Sequence, residues 1–220
     1  MVEDIINESD VQYKGSVLEK YYKIYQPKTF YDLYFTVKKP KNLLEMDYKM
    51  LFEDLNVYKF DLWSDVKQRV KMDQVHEYGL LRSHGTQHYG PVSHEKGELE
   101  LKRLKDTYFS ICKYGHKPDQ FGYITGYFLK YKSDYRFIIL DGNHRTAVLC
   151  AMKYDKIPVV FVENFPRVVD YNDIPNFPHV KNGLFSENLA KQIFKSYFED
   201  NGIKKADKLG ITNVTLSQSS

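Results

Sequence analysis

Cysteine is almost missing from the chain: only Cys112 and Cys150 occur, too few for a disulfide framework. Both stand in apolar, helix-like stretches, so both are expected to be buried, reduced thiols. No apolar run is long enough to cross a membrane. The acidic start, Met1-Val2-Glu3-Asp4, lacks the charged-then-apolar order of a secretory signal, so the cytosol is the expected compartment. No charge of one sign dominates either. The 32 basic and 29 acidic residues are mixed along the chain and leave a net charge of +3, which argues against a nucleic-acid footprint. No internal repeat or low-complexity block is visible. Tryptophan occurs once, at Trp63, where a packing anchor is expected.

Aromatic residues are plentiful. Nineteen tyrosines and fourteen phenylalanines in 220 residues argue for a folded chain with a full core. Residues 29–37 are aromatic and β-branched, which predicts a strand. Helical spacing appears over 42–55, and a further helix is expected over 64–77. The clearest helix covers 95–113, with Leu101, Leu104, Tyr108, Ile111 and Cys112 on one face, Ser93 as N-cap and Gly115 at its close. Residues 123–131 and 135–140 read as a hairpin about Lys132-Ser133-Asp134. A helix over 146–152 and a strand over 157–162 follow. A proline-punctuated segment leads to a helix over 187–199, capped by Ser186 and closed by Gly202, and then to a mobile tail from Lys204. The expected organisation is an N-terminal elaboration (1–60), a core (61–182), a C-terminal helix (183–203) and the tail (204–220).

Most of the chemistry is gathered in Asp141-Gly142-Asn143-His144-Arg145, between an apolar strand and a helix. Gly142 permits close approach or a positive φ. The helix amides after it would suit phosphate. Arg145 can grip phosphate oxygens, Asp141 can hold Mg²⁺ or orient a hydroxyl, and His144 can donate to an anion or move a proton. Upstream, residues 81–95 hold Arg82, His84, Gln87, His88 and His94, polar groups suited to a sugar-like or anionic substrate. His84 and His88 are four apart, but Gly85 and Gly90 oppose a helix there and no third zinc ligand stands at a diagnostic spacing.

The run Phe137 to Ala147 (FIILDGNHRTA), followed by Ile157-Pro158-Val159, resembles the signature of the ParB/sulfiredoxin-like superfamily. Members read as apolar strand, (D/G)G-x-(H/R)R, small-residue helix, then IPV. The exit Lys113-Tyr114-Gly115-His116-Lys117-Pro118 resembles the family's I-x-x-x-G-x-x-x-P, with two residues rather than three between glycine and proline. The resemblance covers residues 90–165, about a third of the chain. It implies an α+β fold: a mixed sheet with helices, here with N- and C-terminal elaborations.

Within that superfamily, sulfiredoxins carry a catalytic cysteine in the turn, where this chain has Asn143. Partition proteins bind CTP and DNA and place a helix-turn-helix domain after the motif, where this chain has one helix and a tail. ParB-like kinases phosphorylate a small hydroxyl substrate such as free serine, using a glutamate at the start of the upstream helix as base. Glu95 matches that position by context. The resemblance therefore implies a small-molecule kinase using ATP (or ADP) and Mg²⁺. Glu95, Asp141 and His144 would be catalytic. Gly142, Asn143, His144, Arg145 and Thr146 would hold the nucleotide, and Arg82, His84, Gln87, His88 and His94 the acceptor, a small molecule or glycan precursor. A homo-oligomer is compatible with the sequence. Two alternatives stay open: a non-catalytic nucleotide-binding module of the ParB type, and a DNA-processing protein.

Overall fold

The structure is a computed structural model that describes residues 2–7, 10–28, 32, 62–63, 84–85, 88–161 and 165–211. The helices expected at 42–55 and 64–77, and the strand at 29–37 apart from Asp32, lie outside the described residues. Along the chain run α1 (Val2–Asn7), α2 (Val17–Ile24), α3 (His94–Tyr114), α4 (Pro118–Phe121), β1 (Ile124–Tyr131), β2 (Asp134–Asp141), α5 (Asn143–Ala151), β3 (Val159–Phe161) and β4 (Val168–Asp170). A 3-10 turn (Tyr171–Asn176), α6 (Pro178–Lys181), α7 (Glu187–Glu199) and α8 (Gly202–Lys208) complete them. Several helices with one four-stranded mixed sheet make this an α+β chain. It divides into two compact units, residues 1–19 with 93–173, and residues 20–92 with 174–220. Among the described residues no helix is long and apolar enough to cross a membrane.

The first unit is built on β1, its central strand. The β1–β2 hairpin is antiparallel, pairing Tyr131 with Asp134 at the turn and Thr125 with Asp141 at the open end. On its other edge β1 pairs in parallel with two short strands. Ile124–Gly126 meets Val159–Phe161, and Phe128–Lys130 meets Val168–Asp170. A register shift between Thr125 and Gly126 interrupts the hairpin ladder just before Asp141. Bulges of this kind re-aim the strand end, and here that end leads into the turn.

Helix α3 forms where its caps predict. Ser93 Oγ accepts the Lys96 N–H, and Gly115, at φ 74°, donates its N–H to the Ile111 carbonyl. Leu101, Leu104 and Ile111 are buried as expected, but Cys112 is exposed. Cys150 is exposed too. Both thiols adjoin fully apolar neighbours, Ile111 and Leu149, and one residue turns a helix by about 100°, enough to move a side chain off the core stripe. α3 packs against α5, and α1 packs against both. Gly97 is what lets Tyr13 lie on α3: a Cβ there would stand 2.0 Å from Tyr13 Cζ.

In the second unit Trp63 is the anchor expected of it. Its ring meets Phe177, Phe194 and Tyr197 edge-on, with centroids 5.7–6.1 Å apart. Helix α7 spans its predicted residues, capped by Ser186 Oγ, and buries Leu189, Ala190, Ile193 and Phe194. Gly202 does not close α7. It opens α8, whose N-cap Asn201 accepts the Lys204 N–H. The expected tail is therefore helical through Lys208, and Lys205 Nζ sits 3.7 Å over the Tyr25 ring.

Candidate functional site: the Gly142 turn and its buried carboxylate

β2 ends at Asp141 and α5 begins at Asn143, three residues earlier than apolar spacing suggests. Three of the five motif residues are thus the first turn of a helix. Gly142 links the two elements with φ 95° and ψ 24°, the left-handed region in which a side chain is strained. Space forbids a side chain as well, since a Cβ would stand 2.8 Å from Ile124 Cγ1. Glycine cannot cap with a side chain. The Thr146 N–H and hydroxyl both donate to the Gly142 carbonyl, at 2.9 and 3.0 Å. The N–H groups of Asn143, His144 and Arg145 have no acceptor among the described residues. They form an uncapped, electropositive helix start of the kind that binds anions.

Arg145 is already occupied. Its Nη1 donates to the carbonyl of Phe121 at 2.7 Å and to that of Gly122, and its Nη2 to the Tyr123 carbonyl at 3.2 Å. Nη2 also lies 3.2 Å from Asp141 Oδ2. The guanidinium fork that the sequence offers to phosphate instead bolts the 121–123 loop to the turn. Asp141 keeps its side chain 76% exposed and its second oxygen open to solvent or a ligand. Burial, and then the Arg145 charge, lower the His116 pKa from 6.5, and its Nε2 is buried without a hydrogen bond.

The group that sequence reasoning missed is Glu100. Only 2% exposed, it projects from α3 toward α5 and gathers three partners. Lys96 Nζ is 2.7 Å and Arg103 Nη1 3.1 Å from Oε1, while His144 Nε2 is 3.1 Å from Oε2. The His144 contact is within hydrogen-bond distance but out of line, so Oε2 lacks an aligned hydrogen bond. Burial pushes the Glu100 carboxyl up, but His144, Lys96 and Arg103 outweigh it and hold the pKa at about 2. A signal was present in the sequence. Glu100 falls inside the apolar stripe of Gly97, Leu101 and Leu104, with cations at i−4 and i+3.

The remaining expected residues are scattered. Glu95 is exposed in the first turn of α3, roughly 140° around the helix from Glu100. The His94 ring is tilted against Tyr13, with centroids 5.5 Å apart, and its Nε2 lies 3.5 Å from Glu98 Oε1. His84 and His88 belong to the second unit, where the His88 carbonyl accepts from Tyr21 Oη at 2.7 Å. Arg82 and Gln87 lie outside the described residues. No cluster of three or more His, Cys, Asp or Glu side chains suited to a metal occurs among the described residues. A groove of about 400 Å³ beside α3 is lined by Val11, Glu98, Lys102 and Phe109 among others, and by no residue of the turn.

Comparison with protein-family models, with curated proteins and with solved structures returns no match.

Proposed function

We propose that the chain is a nucleotide-dependent phosphotransferase of ParB/sulfiredoxin-like type, acting on a hydroxyl of a small polar molecule such as a sugar or glycan precursor. One observation carries the reading: the uncapped start of α5, entered through left-handed Gly142 and flanked by Asp141 and His144. Phosphoryl transfer asks for positioned positive charge and N–H donors around the phosphate, a metal, and a group that orients the attacking oxygen. The amides of Asn143, His144 and Arg145 supply the donors. Mg²⁺ bound with nucleotide needs only one or two carboxylates besides phosphate oxygens, and exposed Asp141 fits that donor set. The metal would neutralise charge on the phosphates. Glu95, exposed on the first turn of α3, is suited to hydrogen-bond the acceptor hydroxyl. Arg145 acts at one remove, by fixing the 121–123 loop beside the turn.

The test is incubation of the full chain with γ-labelled ATP, Mg²⁺ and a panel of hydroxyl acceptors, beside Asp141→Asn. Transfer in the native chain, lost in the variant, is the expected result. Failure of MgATP to perturb the Gly142 and Asn143 amides in NMR spectra would remove the reading. The engaged fork of Arg145 favours a second reading, a nucleotide-binding module that catalyses nothing. Saturable nucleotide binding with no transfer to any acceptor or to water would favour it.

A further inference from the structure

Resting on the phosphotransferase reading, we propose that Glu100 is the positioning residue of the site: it holds His144 as the Nε2–H tautomer, so that Nδ1 takes the proton of the attacking hydroxyl. Lys96 and Arg103 both lie on Oε1 of Glu100, and only His144 lies on Oε2. A carboxylate 2% exposed leaves no oxygen idle without cost, and Oε2 has no other hydrogen-bond partner. It can only accept, so the histidine nitrogen facing it must carry the hydrogen. That leaves the neutral ring with its lone pair on Nδ1, which has no partner among the described residues.

Glu100 is itself a poor base, because its two cations stabilise the ionised form. Its position suits the other role, orienting an imidazole and stabilising the imidazolium that forms. The 3.1 Å contact is out of line here, and such contacts commonly tighten once substrate is bound. His144 belongs to the first turn of α5, the turn whose amides would hold the phosphate.

The step balances. The acceptor O–H proton passes to Nδ1 as the oxygen forms its bond to the γ-phosphorus of ATP. The bond from that phosphorus to the bridging oxygen breaks, and ADP leaves with the electron pair. The imidazolium, facing Glu100, then returns its proton to solvent. Glu95 is left to hold the acceptor rather than to deprotonate it.

Long-range ¹H–¹⁵N spectra of the full chain labelled at histidine, with and without MgADP, test this directly. The native protein should show His144 with hydrogen on Nε2, and MgADP should shift Nδ1 more than Nε2. Glu100→Asp keeps the charge beside Lys96 and Arg103 but withdraws it by one methylene. It should mix the two tautomers and lower the rate of γ-phosphoryl transfer about 100-fold, with the KM for ATP unchanged. Hydrogen on Nδ1 in the native protein overturns the proposal, and needs no variant to be seen. An unchanged tautomer in folded Glu100→Asp overturns it equally. The expected tautomer, with no response of the Gly142 and Asn143 amides to MgADP, would instead refute the phosphotransferase reading and with it the proton transfer, while leaving the Glu100–His144 pairing standing.

Discussion

Replacing Glu100 by glutamine removes the one carboxylate that Lys96, Arg103 and His144 share. Burial acts to raise the Glu100 pKa, but these partners hold it at about 2 against an ordinary 4.5. A carboxylate depressed in the folded state contributes stability that is fully present above pH 4.5 and is lost as the pH falls through about 2. Linkage places that contribution at ~3 kcal/mol, of the same order as the ~3–5 kcal/mol lost when one member of a buried ion pair is removed. Glutamine keeps the shape and can still accept from Lys96, so the lower figure is the relevant one. Lys96, with its side chain 7% exposed, would lose the carboxylate that lies 2.7 Å from its Nζ. Urea denaturation followed by far-UV circular dichroism, on native and Glu100→Gln chains, reads the difference from pH 7 down to pH 2. At pH 7 the variant should be less stable by ~3 kcal/mol. The gap should narrow below pH 4.5 and largely close by pH 2. A gap under ~1 kcal/mol at pH 7, or one that stays constant with pH, would refute the account of Glu100 as a paired buried anion.

Other substitutions probe the frame around the site. Gly97→Ala places a Cβ 2.0 Å from Tyr13 Cζ and should cost ~1–3 kcal/mol while exposing residues 10–16 to limited proteolysis; unchanged protection would mean Tyr13 moves aside freely. Arg145→Lys cannot reach the Phe121, Gly122 and Tyr123 carbonyls together, so the amides of 121–123 should exchange faster with solvent, and equal exchange rates would contradict the bolt. His116 is held neutral by burial and by Arg145, so its stabilisation is present above pH 6.5 and lost as the pH falls toward its lowered pKa. His116→Gln should therefore flatten the dependence of stability on pH below 6.5, and a slope equal to that of the native chain would count against it. Lys205, desolvated over Tyr25, has its pKa lowered to about 8, so its amine should react with acetic anhydride at lower pH than that of exposed Lys204; matching midpoints would show it to be solvated.

Local chemistry made much of this fold readable. Ser93 and Gly115 bracket α3, Ser186 opens α7, and alternating aromatic strands about Lys132-Ser133 give the hairpin, because each is decided by neighbours in sequence. What was hidden depends on distant contacts. Leu101 and Leu104 mark the buried face of α3, and apolar spacing puts Cys112 on that face beside Ile111, yet only Ile111 turns inward. Among the acidic residues at the start of α3, Glu95 stands out in the sequence because it lies in the first turn. Glu100 is the one that α5 covers, and nothing within five residues could reveal that the covering group is His144, 44 positions away.

The site is best understood through the charge that surrounds Glu100. Two cations, Lys96 and Arg103, share one of its oxygens, and His144 faces the other. The cluster lies on α3, packed against α5, whose first amides are electropositive. Asp141 opposes this field, but it is the most solvent-screened group of the set and is partly neutralised by Arg145. The uncapped amides favour an anion over a neutral ligand at the turn. This makes the salt dependence of nucleotide binding diagnostic. Affinity for MgADP should fall with rising ionic strength. Binding that ignores salt would mean that this field does not hold the ligand.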